Sequence, residues 1–348
     1  MRSNNRDGFI KFFLFVLCCI FHVLPTHAQE NDIVKRSDLW RNPDKYLPTQ
    51  AVRMFGLINQ AMNEFTPTIG ESTERKLALY LFDAMLHETK YDDSEALFQF
   101  ADARMEHLME ILKQPAKKGL YIYKVYNDGF IARTKSVTIA FDIVRGKSKG
   151  RDIVNEKYIQ QIVDQCDVLF LSHNHGDHVD KLTVDLFCQA GKPVIAPKNI
   201  LKNNDKITHL SGDQRIDEKI KLKNGQKLQV AIFPGHQDKL VNNLYVVTTP
   251  EKKVVAQIGD QSNNADMQWI AKLNQEITRP DALIVNCWTS PLKELVDGFN
   301  PKLVVSGHEN EMGHTINHRE SFWLSFQDMK LIGRDYVIMG WGEGFRCK

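Results

Sequence analysis

The 348-residue chain has almost no excess of one charge, with 45 Lys and Arg against 43 Asp and Glu and a formal net charge of +2. That excess is accounted for by residues 1–28, where Arg2, Arg6 and Lys11 outnumber Asp7. The rest of the chain is close to neutral, so it has no general electrostatic attraction for nucleic acid or anionic lipid. We therefore expect no nucleic-acid partner.

Cysteine is scarce, and six residues of this type are scattered along the chain. Two lie in the N-terminal segment, and the other four stand singly at Cys166, Cys188, Cys287 and Cys347. None of these four has C-x-x-C spacing, which excludes a zinc ribbon or a thioredoxin-like redox motif. Four cysteines allow three disulfide pairings, and the sequence does not select one.

Internal repeats and low-complexity segments are absent, and the one long apolar run is Phe12–Leu24. Basic residues precede this run, and Thr26–Ala28 supplies small residues before a cleavage point. The pattern is typical of a secretory signal peptide over residues 1–28. We expect an exported protein, periplasmic or secreted, with no stable membrane anchor after cleavage. An uncleaved anchor is the alternative.

Residues 29–118 are predicted to form a helical N-terminal region. Apolar residues recur every three or four positions in three stretches, which begin near Pro48, Ser72 and Asp92. The region contains no metal-ligand spacing. A bundle this small buries little apolar surface alone, so we expect it to pack on the following domain or to form a homo-oligomer.

At Gly119 the apolar period changes to two, and residues 119–348 are predicted to form an α/β domain. Asn127–Gly129 is predicted to be a hairpin turn between two strands. Further strands then alternate with helical segments, the last two strands being predicted at 282–286 and 303–306. A helix is predicted at about 265–275.

The most informative motif is H-x-H-x-D-H, which follows the apolar strand Val168–Leu171. His173 and His175 are two residues apart on extended backbone, so both imidazoles face the same side. Gly176 permits a sharp turn that brings Asp177 and His178 to a neighbouring position. Imidazole and carboxylate ligands in this arrangement suit zinc or a similar divalent ion.

One motif cannot complete two coordination spheres, so further ligands must come from other strand ends. His236, Asp260 and His308 each follow an apolar strand, and each is preceded by glycine, which lets the backbone approach closely. His314 is an alternative to His308 as the last ligand.

The H-x-H-x-D-H motif and these strand-end residues resemble the metallo-β-lactamase superfamily of metallohydrolases over residues 119–348. The resemblance implies a four-layer αββα sandwich with the metals at one edge of the two sheets. It implies that His173, His175 and His236 hold one metal, that Asp177, His178 and His308 hold the other, and that Asp260 bridges both. Asp142 matches the family's early aspartate, and we expect it and Ser172 to support the ligands.

The resemblance also implies a hydrolase with two divalent ions, zinc by default and manganese or iron as alternatives. A bridging hydroxide would be the nucleophile, and Asp177 would orient it and shuttle its proton. The nearest branch resembles ascorbate-6-phosphate lactonase, so a lactone or another ester is the expected small-molecule substrate. The alternatives are a phosphodiesterase or phospholipase D-like hydrolase acting on a phosphoester, and a non-catalytic exported metal-binding protein.

Overall fold

A computed structural model describes residues 35–347, so the predicted signal peptide lies outside the described residues. Contacts divide the chain into two compact units, Met1–Leu47 and Pro48–Lys348. The second unit contains every described β-strand, and the predicted boundary near residue 118 falls inside it. Each helix within residues 35–347 is too short or too polar to span a bilayer.

Nine α-helices are present in the described residues. In chain order they are α1 (Arg36–Leu39), α2 (Pro43–Glu64), α3 (Thr73–Leu86), α4 (Glu95–Lys113), α5 (Glu156–Gln165), α6 (Lys181–Gln189), α7 (Met267–Ile270), α8 (Leu292–Phe299) and α9 (Phe322–Met329). Side-chain caps begin several of them, as when Ser72 accepts from the N–H of Arg75 and Ser94 from that of Leu97.

The strands form two seven-stranded sheets and one small hairpin. The first sheet and the hairpin contain β1 (Leu120–Tyr126), β2 (Gly129–Arg133), β3 (Thr138–Phe141), β4 (Lys147–Ser148), β5 (Arg151–Asp152), β6 (Val168–Phe170), β7 (Val194–Ala196) and β8 (Thr208–His209). The second sheet contains β9 (Ile216–Lys221), β10 (Lys227–Gln237), β11 (Leu240–Thr248), β12 (Val254–Gln257), β13 (Ala282–Asn286), β14 (Val304–Gly307) and β15 (Tyr336–Ile338), while β16 (Gly344–Cys347) returns to the first.

The order of strands is β16-β1-β2-β3-β6-β7-β8 in the first sheet and β15-β14-β13-β12-β11-β10-β9 in the second. In each sheet an antiparallel part is joined to a parallel part: β3 pairs in parallel with β6, and β12 with β13. Parallel strands end at the same edge, and the loops after them therefore gather there.

One apolar core lies between the sheets, because alternate residues of both contribute to a single buried cluster that includes Phe130, Phe170, Ile232 and Tyr245. A second cluster joins the opposite faces of the strands to the helices. For example, α6 contacts β6 and β7, and α9 contacts β15. Helices thus cover the outer face of each sheet, which confirms the predicted αββα sandwich.

Buried polar contacts join α3 and the turn after it to the C-terminal part of the chain. Arg75 donates to both carboxylate oxygens of Glu343, and Asp83 accepts from the side chain of Asn310. Arg319 forms an ion pair with Asp92 at 2.7 Å. Helix α3 and the turn after it therefore pack on the loop that follows β14 and on the segment after β15.

Several predicted elements differ from the structure. The helix expected at about 265–275 was wrong in extent, since only α7 and a separate 3-10 turn at Leu273–Gln275 form there. Helix α2 begins at Pro43 rather than Pro48. Six strands, β4, β5, β8, β9, β15 and β16, and the helices α8 and α9 were not predicted. All four cysteines of the described residues are free thiols.

Candidate metal centre

The predicted ligands come from the ends of strands in both sheets. The H-x-H-x-D-H motif follows β6 of the first sheet, whereas Asp260 and His308 follow β12 and β14 of the second. Glycine is required before each of these two residues. A Cβ on Gly259 would lie 2.6 Å from Oγ of Ser172, and one on Gly307 would lie 2.1 Å from Oδ1 of Asp128.

Four of these side chains form what we call the Asp177 group: Asp177, His178, Asp260 and His308 each offer a ligand atom within 4.8 Å of the others. Nε2 of His308 lies 3.2 Å from Oδ2 of Asp177, and Nε2 of His178 lies 3.3 Å from Oδ1 of Asp260. This is the set of residues, with shared Asp260, that the resemblance assigns to the second metal.

Three side chains, His173, His175 and Asp260, form what we call the His173 group, again within 4.8 Å. Nε2 of His173 lies 3.5 Å from Oδ2 of Asp260, and the rings of His173 and His175 are 4.7 Å apart. Asp260 belongs to both groups: its Oδ2 lies 3.5 Å from Nε2 of His173 and 3.6 Å from Nε2 of His308. A carboxylate shared in this way is suited to bridge two ions.

The residues of the two groups are suitable ligands for divalent metal ions, because two of their imidazole nitrogens are buried without well-aligned hydrogen bonds. Nε2 of His173 and Nε2 of His178 are buried, and within residues 35–347 neither forms a well-aligned hydrogen bond, although each faces an oxygen of Asp260 at 3.5 and 3.3 Å. A buried polar atom without a partner is costly, so an orphaned imidazole nitrogen beside a carboxylate indicates a missing ligand. Imidazole nitrogens with carboxylate oxygens are the donor set of zinc and related ions.

Asp142 and Ser172 hold the motif in position. The N–H of Ser172 donates to Oδ1 of Asp142 at 2.8 Å, and its hydroxyl donates to Oδ2 at 2.6 Å. Nδ1 of His178 lies 3.0 Å from the same Oδ2. When Nδ1 donates to this carboxylate, the Nε2 lone pair is free for a metal, as in carboxylate–histidine–zinc arrangements.

His236 is the one predicted ligand that the structure does not bring into either group. Its Nδ1 lies 3.1 Å from Oδ2 of Asp266, and 36% of its side chain is exposed. The neighbouring Gln237 instead donates to Oδ2 of Asp260 at 3.0 Å. The contact with Asp266 is of the kind that orients a ligating imidazole through its other nitrogen, so a ligand role for His236 stays a prediction.

Both candidates for the last ligand lie near Asp177. His308 is buried and belongs to the Asp177 group, whereas Nε2 of His314 is 3.7 Å from Oδ2 of Asp177 and 33% of its side chain is exposed. Trp288 lies against both rings, with centroid distances of 5.4 Å to His308 and 6.1 Å to His314. The geometry therefore favours His308 as the ligand and places His314 on the cavity wall.

The electrostatics of the site favour carboxylates and at least one neutral imidazole. Burial, with the nearby charge of His178, lowers the pKa of His173 to about 3, so its lone pair is available. Burial opposes ionisation of Asp177, but the charge of His178 and the hydrogen bond with His308 outweigh it and lower its pKa below the usual range. Asp177 is therefore ionised at neutral pH.

Sequence reasoning missed two polar residues that support the centre. Asp128 lies in the turn of the β1–β2 hairpin, is buried, and forms a third group with Asp142 and His178. Burial raises its pKa to about 8. Asn286, at the end of β13, donates to Oδ1 of Asp260 at 2.6 Å. In the sequence, the hairpin turn Asn127–Gly129 is a sufficient reason for an aspartate at position 128. The sequence therefore contains no sign that Asp128 also lies beside the metal ligands.

A cavity of about 330 Å³ opens beside the two groups, and we call it the first cavity. It is lined by His175, Asp177, Asp260, Asn286, Trp288, His308, His314 and His318, among others. It provides space for a small molecule next to the shared carboxylate of Asp260.

No family model and no curated protein matches the chain. Among solved structures it is similar to Igni18, a metallo hydrolase from Ignicoccus hospitalis, at 17% identity and a TM-score of 0.49, covering 66% of this chain and 100% of that one. It is similar to CmlA, a diiron β-hydroxylase from Streptomyces venezuelae, at 15% identity and a TM-score of 0.47, covering 67% and 55%.

A third solved structure is that of a protein from Thermotoga maritima, named as a Zn-dependent hydrolase of the metallo-β-lactamase superfamily. The identity is 16% and the TM-score 0.38, with 63% of this chain and 98% of that one covered. At these values the comparisons carry no argument, and the fold is shown by the chain's own strand order. The solved structures that resemble this chain thus include metallohydrolases, one of which is named as a member of the metallo-β-lactamase superfamily.

Proposed function

We propose that the chain is an exported hydrolase that uses two divalent metal ions to cleave a lactone or another neutral ester. The observation that carries this proposal is the pair of interlocked ligand groups that share Asp260, with two buried histidine nitrogens left without partners. In a polar cluster with a purely structural role, these nitrogens would be expected to form hydrogen bonds.

Bound divalent ions would supply Lewis acidity and a water acidic enough to act as a nucleophile near neutral pH. Six residues of the two groups would hold them: His173, His175, Asp177, His178, Asp260 and His308. His236 would join them through Nε2 if the ring keeps its contact with Asp266. Asp142 and Ser172 would keep the motif oriented during turnover.

Asp177 is the proposed general base and acid. Its carboxylate is ionised and is held by Nε2 of His308 at 3.2 Å, so it can accept a proton from the attacking water and return it to the leaving alkoxide. The ring of Trp288, 37% exposed, offers an apolar wall for the substrate beside these groups.

The chemistry of the first cavity supports an uncharged ester over a phosphodiester. Its lining contains carboxylates, amides, histidines and Trp288, but no Lys or Arg among the described residues. Phosphate recognition usually uses such cations, with Arg giving bidentate contacts. A neutral ester needs no counter-charge beyond the ions themselves.

The test combines metal analysis with two substrate classes. We expect purified protein to contain about two divalent ions per chain, from the two ligand groups, and to hydrolyse lactones faster than bis(4-nitrophenyl) phosphate. His175→Ala should remove bound metal and activity together, whereas the matched change His107→Ala on α4 should affect neither. Faster cleavage of the phosphodiester would favour the phosphodiesterase alternative, and bound metal without turnover would favour a binding protein.

A further inference from the structure

Among the described residues, Trp288 is the one tryptophan that lines the first cavity. It follows β13, and it is 37% exposed although the residues on either side of it are buried or nearly so. The centroid of its ring lies 5.4 Å from that of His308, 6.1 Å from that of His314 and 6.2 Å from that of His318. Because His308 belongs to the Asp177 group, a substrate at the candidate centre would lie within reach of this ring.

The three imidazoles do not cover the faces of the indole. Their planes make angles of 52°, 38° and 63° with it, so none of them lies flat on the ring. A tryptophan of the apolar core has a different setting, since Trp341 is 1% exposed and packs against Phe82 and Tyr126. Trp288 therefore keeps aromatic surface that a ligand in the first cavity can contact.

The backbone of Trp288 is anchored to the candidate centre through one buried amide. The N–H of Trp288 donates to Oδ1 of Asn286 at 2.7 Å, and Nδ2 of Asn286 donates to Oδ1 of Asp260 at 2.6 Å. Asn286 is itself buried at the end of β13. The base of the Trp288 side chain is thus fixed relative to the shared carboxylate before a ligand arrives, which lowers the entropic cost of binding.

The rest of the first cavity offers hydrogen bonds and imidazole rings. Besides Trp288, its described lining consists of four histidines, two aspartates, three amide side chains and two hydroxyl side chains, without Ala, Val, Leu, Ile or Met. Apolar contact with a ligand is therefore made chiefly through rings, of which the indole is the largest. Ring pairs in offset or edge-to-face arrangements gain more than their buried area alone provides. Because the same lining has no Lys or Arg, it favours an uncharged ring over an anionic one.

We propose that Trp288 determines substrate specificity by binding a flat, uncharged ring of the substrate that lies next to the bond to be cleaved. The inference rests on the proposed function in one respect, namely that the reacting bond lies at Asp177. It extends that function by assigning the substrate class: an aryl ester, or a lactone fused to an aromatic ring. The first cavity, of about 330 Å³, is near the lower end of the usual range for small-molecule sites and suits a ligand of one or two rings.

The experiment measures binding without turnover, because the amide bond of a lactam is much less reactive than an ester bond. Isothermal titration of the purified, metal-containing protein uses three probes: hydrocarbostyril, a δ-lactam fused to a benzene ring; octahydroquinolinone, the same two rings in saturated form; and δ-valerolactam, the lactam ring alone. We expect hydrocarbostyril to bind about two- to tenfold more tightly than octahydroquinolinone, the usual gain for aromatic contact beyond buried area. δ-Valerolactam should bind most weakly, since it buries the least apolar surface.

Trp288→Leu keeps an apolar side chain and removes the aromatic face, so we expect it to bind the two bicyclic lactams equally. Trp288→Phe retains an aromatic ring and should keep the preference for hydrocarbostyril. Trp323→Leu is the matched control, because Trp323 lies on α9, is 44% exposed and is not part of the cavity lining. This control should bind as the wild type does. Thermal unfolding and metal content are recorded for every variant.

Three results would each overturn the proposal: equal or undetectable binding of the two bicyclic lactams by the wild type, an unchanged preference in Trp288→Leu, or loss of the preference in Trp288→Phe as well, which would show only a packing role. The first result needs no variant, so it decides even if Trp288→Leu does not fold. Cleavage of lactones together with equal binding of the bicyclic lactams would leave the hydrolase in place and remove this assignment. A Trp288-dependent preference without any hydrolysis would keep the assignment and contradict the hydrolase.

Discussion

Oδ2 of Asp142 lies 3.0 Å from Nδ1 of His178 and thereby selects the ring nitrogen that faces Asp260. The same oxygen accepts from Nε2 of Gln257 at 2.8 Å. Asp142 itself has a left-handed backbone, with φ of 45°. A non-glycine residue held in this conformation at a candidate active site is typical of a position that function constrains.

Asp142→Asn is expected to reduce metal affinity about 10–100-fold, because the ligands stay but their orientation is lost. The measurement is competition with a metal chelator, with unfolding curves recorded in parallel. Asp205→Asn, at an exposed position outside the centre, is the control. Unchanged metal affinity in Asp142→Asn would remove Asp142 from its supporting role.

Asp177→Asn is expected to lower kcat/KM for lactone hydrolysis about 10²–10⁴-fold, the usual contribution of a general base. The fold should be retained, since the His173 group does not include Asp177. Circular dichroism and metal content accompany the kinetics. Turnover close to that of the wild type would exclude Asp177 from proton transfer.

His236→Ala decides whether the predicted seventh ligand acts as one. If Nε2 ligates while Nδ1 donates to Asp266, we expect the variant to lose one of about two ions. Elemental analysis after dialysis gives the count. Retention of both ions would exclude His236 as a ligand and leave its contact with Asp266, at 3.1 Å, as a structural one.

Glu320→Gln is expected to change how stability depends on pH. Burial, and then the charge of Glu309, raises the pKa of Glu320 from 4.5 to about 7 in the folded protein. Because this pKa is raised, the carboxyl group keeps its proton to a higher pH in the folded state than in the unfolded state. The stability that this protonation contributes is therefore complete below about pH 4.5 and is lost as pH rises through about 7.

The variant has no such titration, so it should be more stable than the wild type by roughly 1 kcal/mol at pH 8 and nearly equal at pH 4. Urea unfolding at both pH values gives the comparison. Glu218→Gln, at an exposed position of β9, serves as the control. An equal difference between wild type and Glu320→Gln at the two pH values would contradict the assigned shift.

Arg75→Ala is expected to destabilise the protein by about 3–5 kcal/mol, the usual cost of leaving a buried charge unpaired. Arg75 is 1% exposed, contacts Glu71 and Glu343, and donates to the carbonyl of Ile338. Arg53→Ala, on the exposed face of α2, should change the free energy of unfolding by less than about 0.5 kcal/mol. A small effect of Arg75→Ala would mean that the cluster contributes little.

The sequence was sufficient to predict those parts of the molecule that depend on a local pattern of residues. Alternating apolar residues identified the β1–β2 hairpin, and the position of H-x-H-x-D-H after an apolar strand located most of the candidate centre. These signals are short-range, and each is complete within about ten residues.

What the sequence did not reveal depends on pairing between distant segments. β16 has four residues and is a strand because it pairs with β1, from Leu120↔Cys347 to Tyr123↔Gly344. Asn286 looks like an ordinary strand-end amide until folding brings its side chain to within 2.6 Å of Oδ1 of Asp260. Both cases reflect tertiary context, which local propensity does not contain.

The buried contacts that α3 and the turn after it make with the C-terminal part of the chain also bear on the order of folding. Arg75 and Glu343 are 268 residues apart in the chain, and Asp92 and Arg319 are 227 apart. During synthesis the N-terminal helices emerge first, but their polar partners are not yet made. Closing such long loops carries an entropic cost that slows folding. The first cavity, whose lining includes His308, His314 and His318, is therefore completed only after nearly all of the chain has left the ribosome.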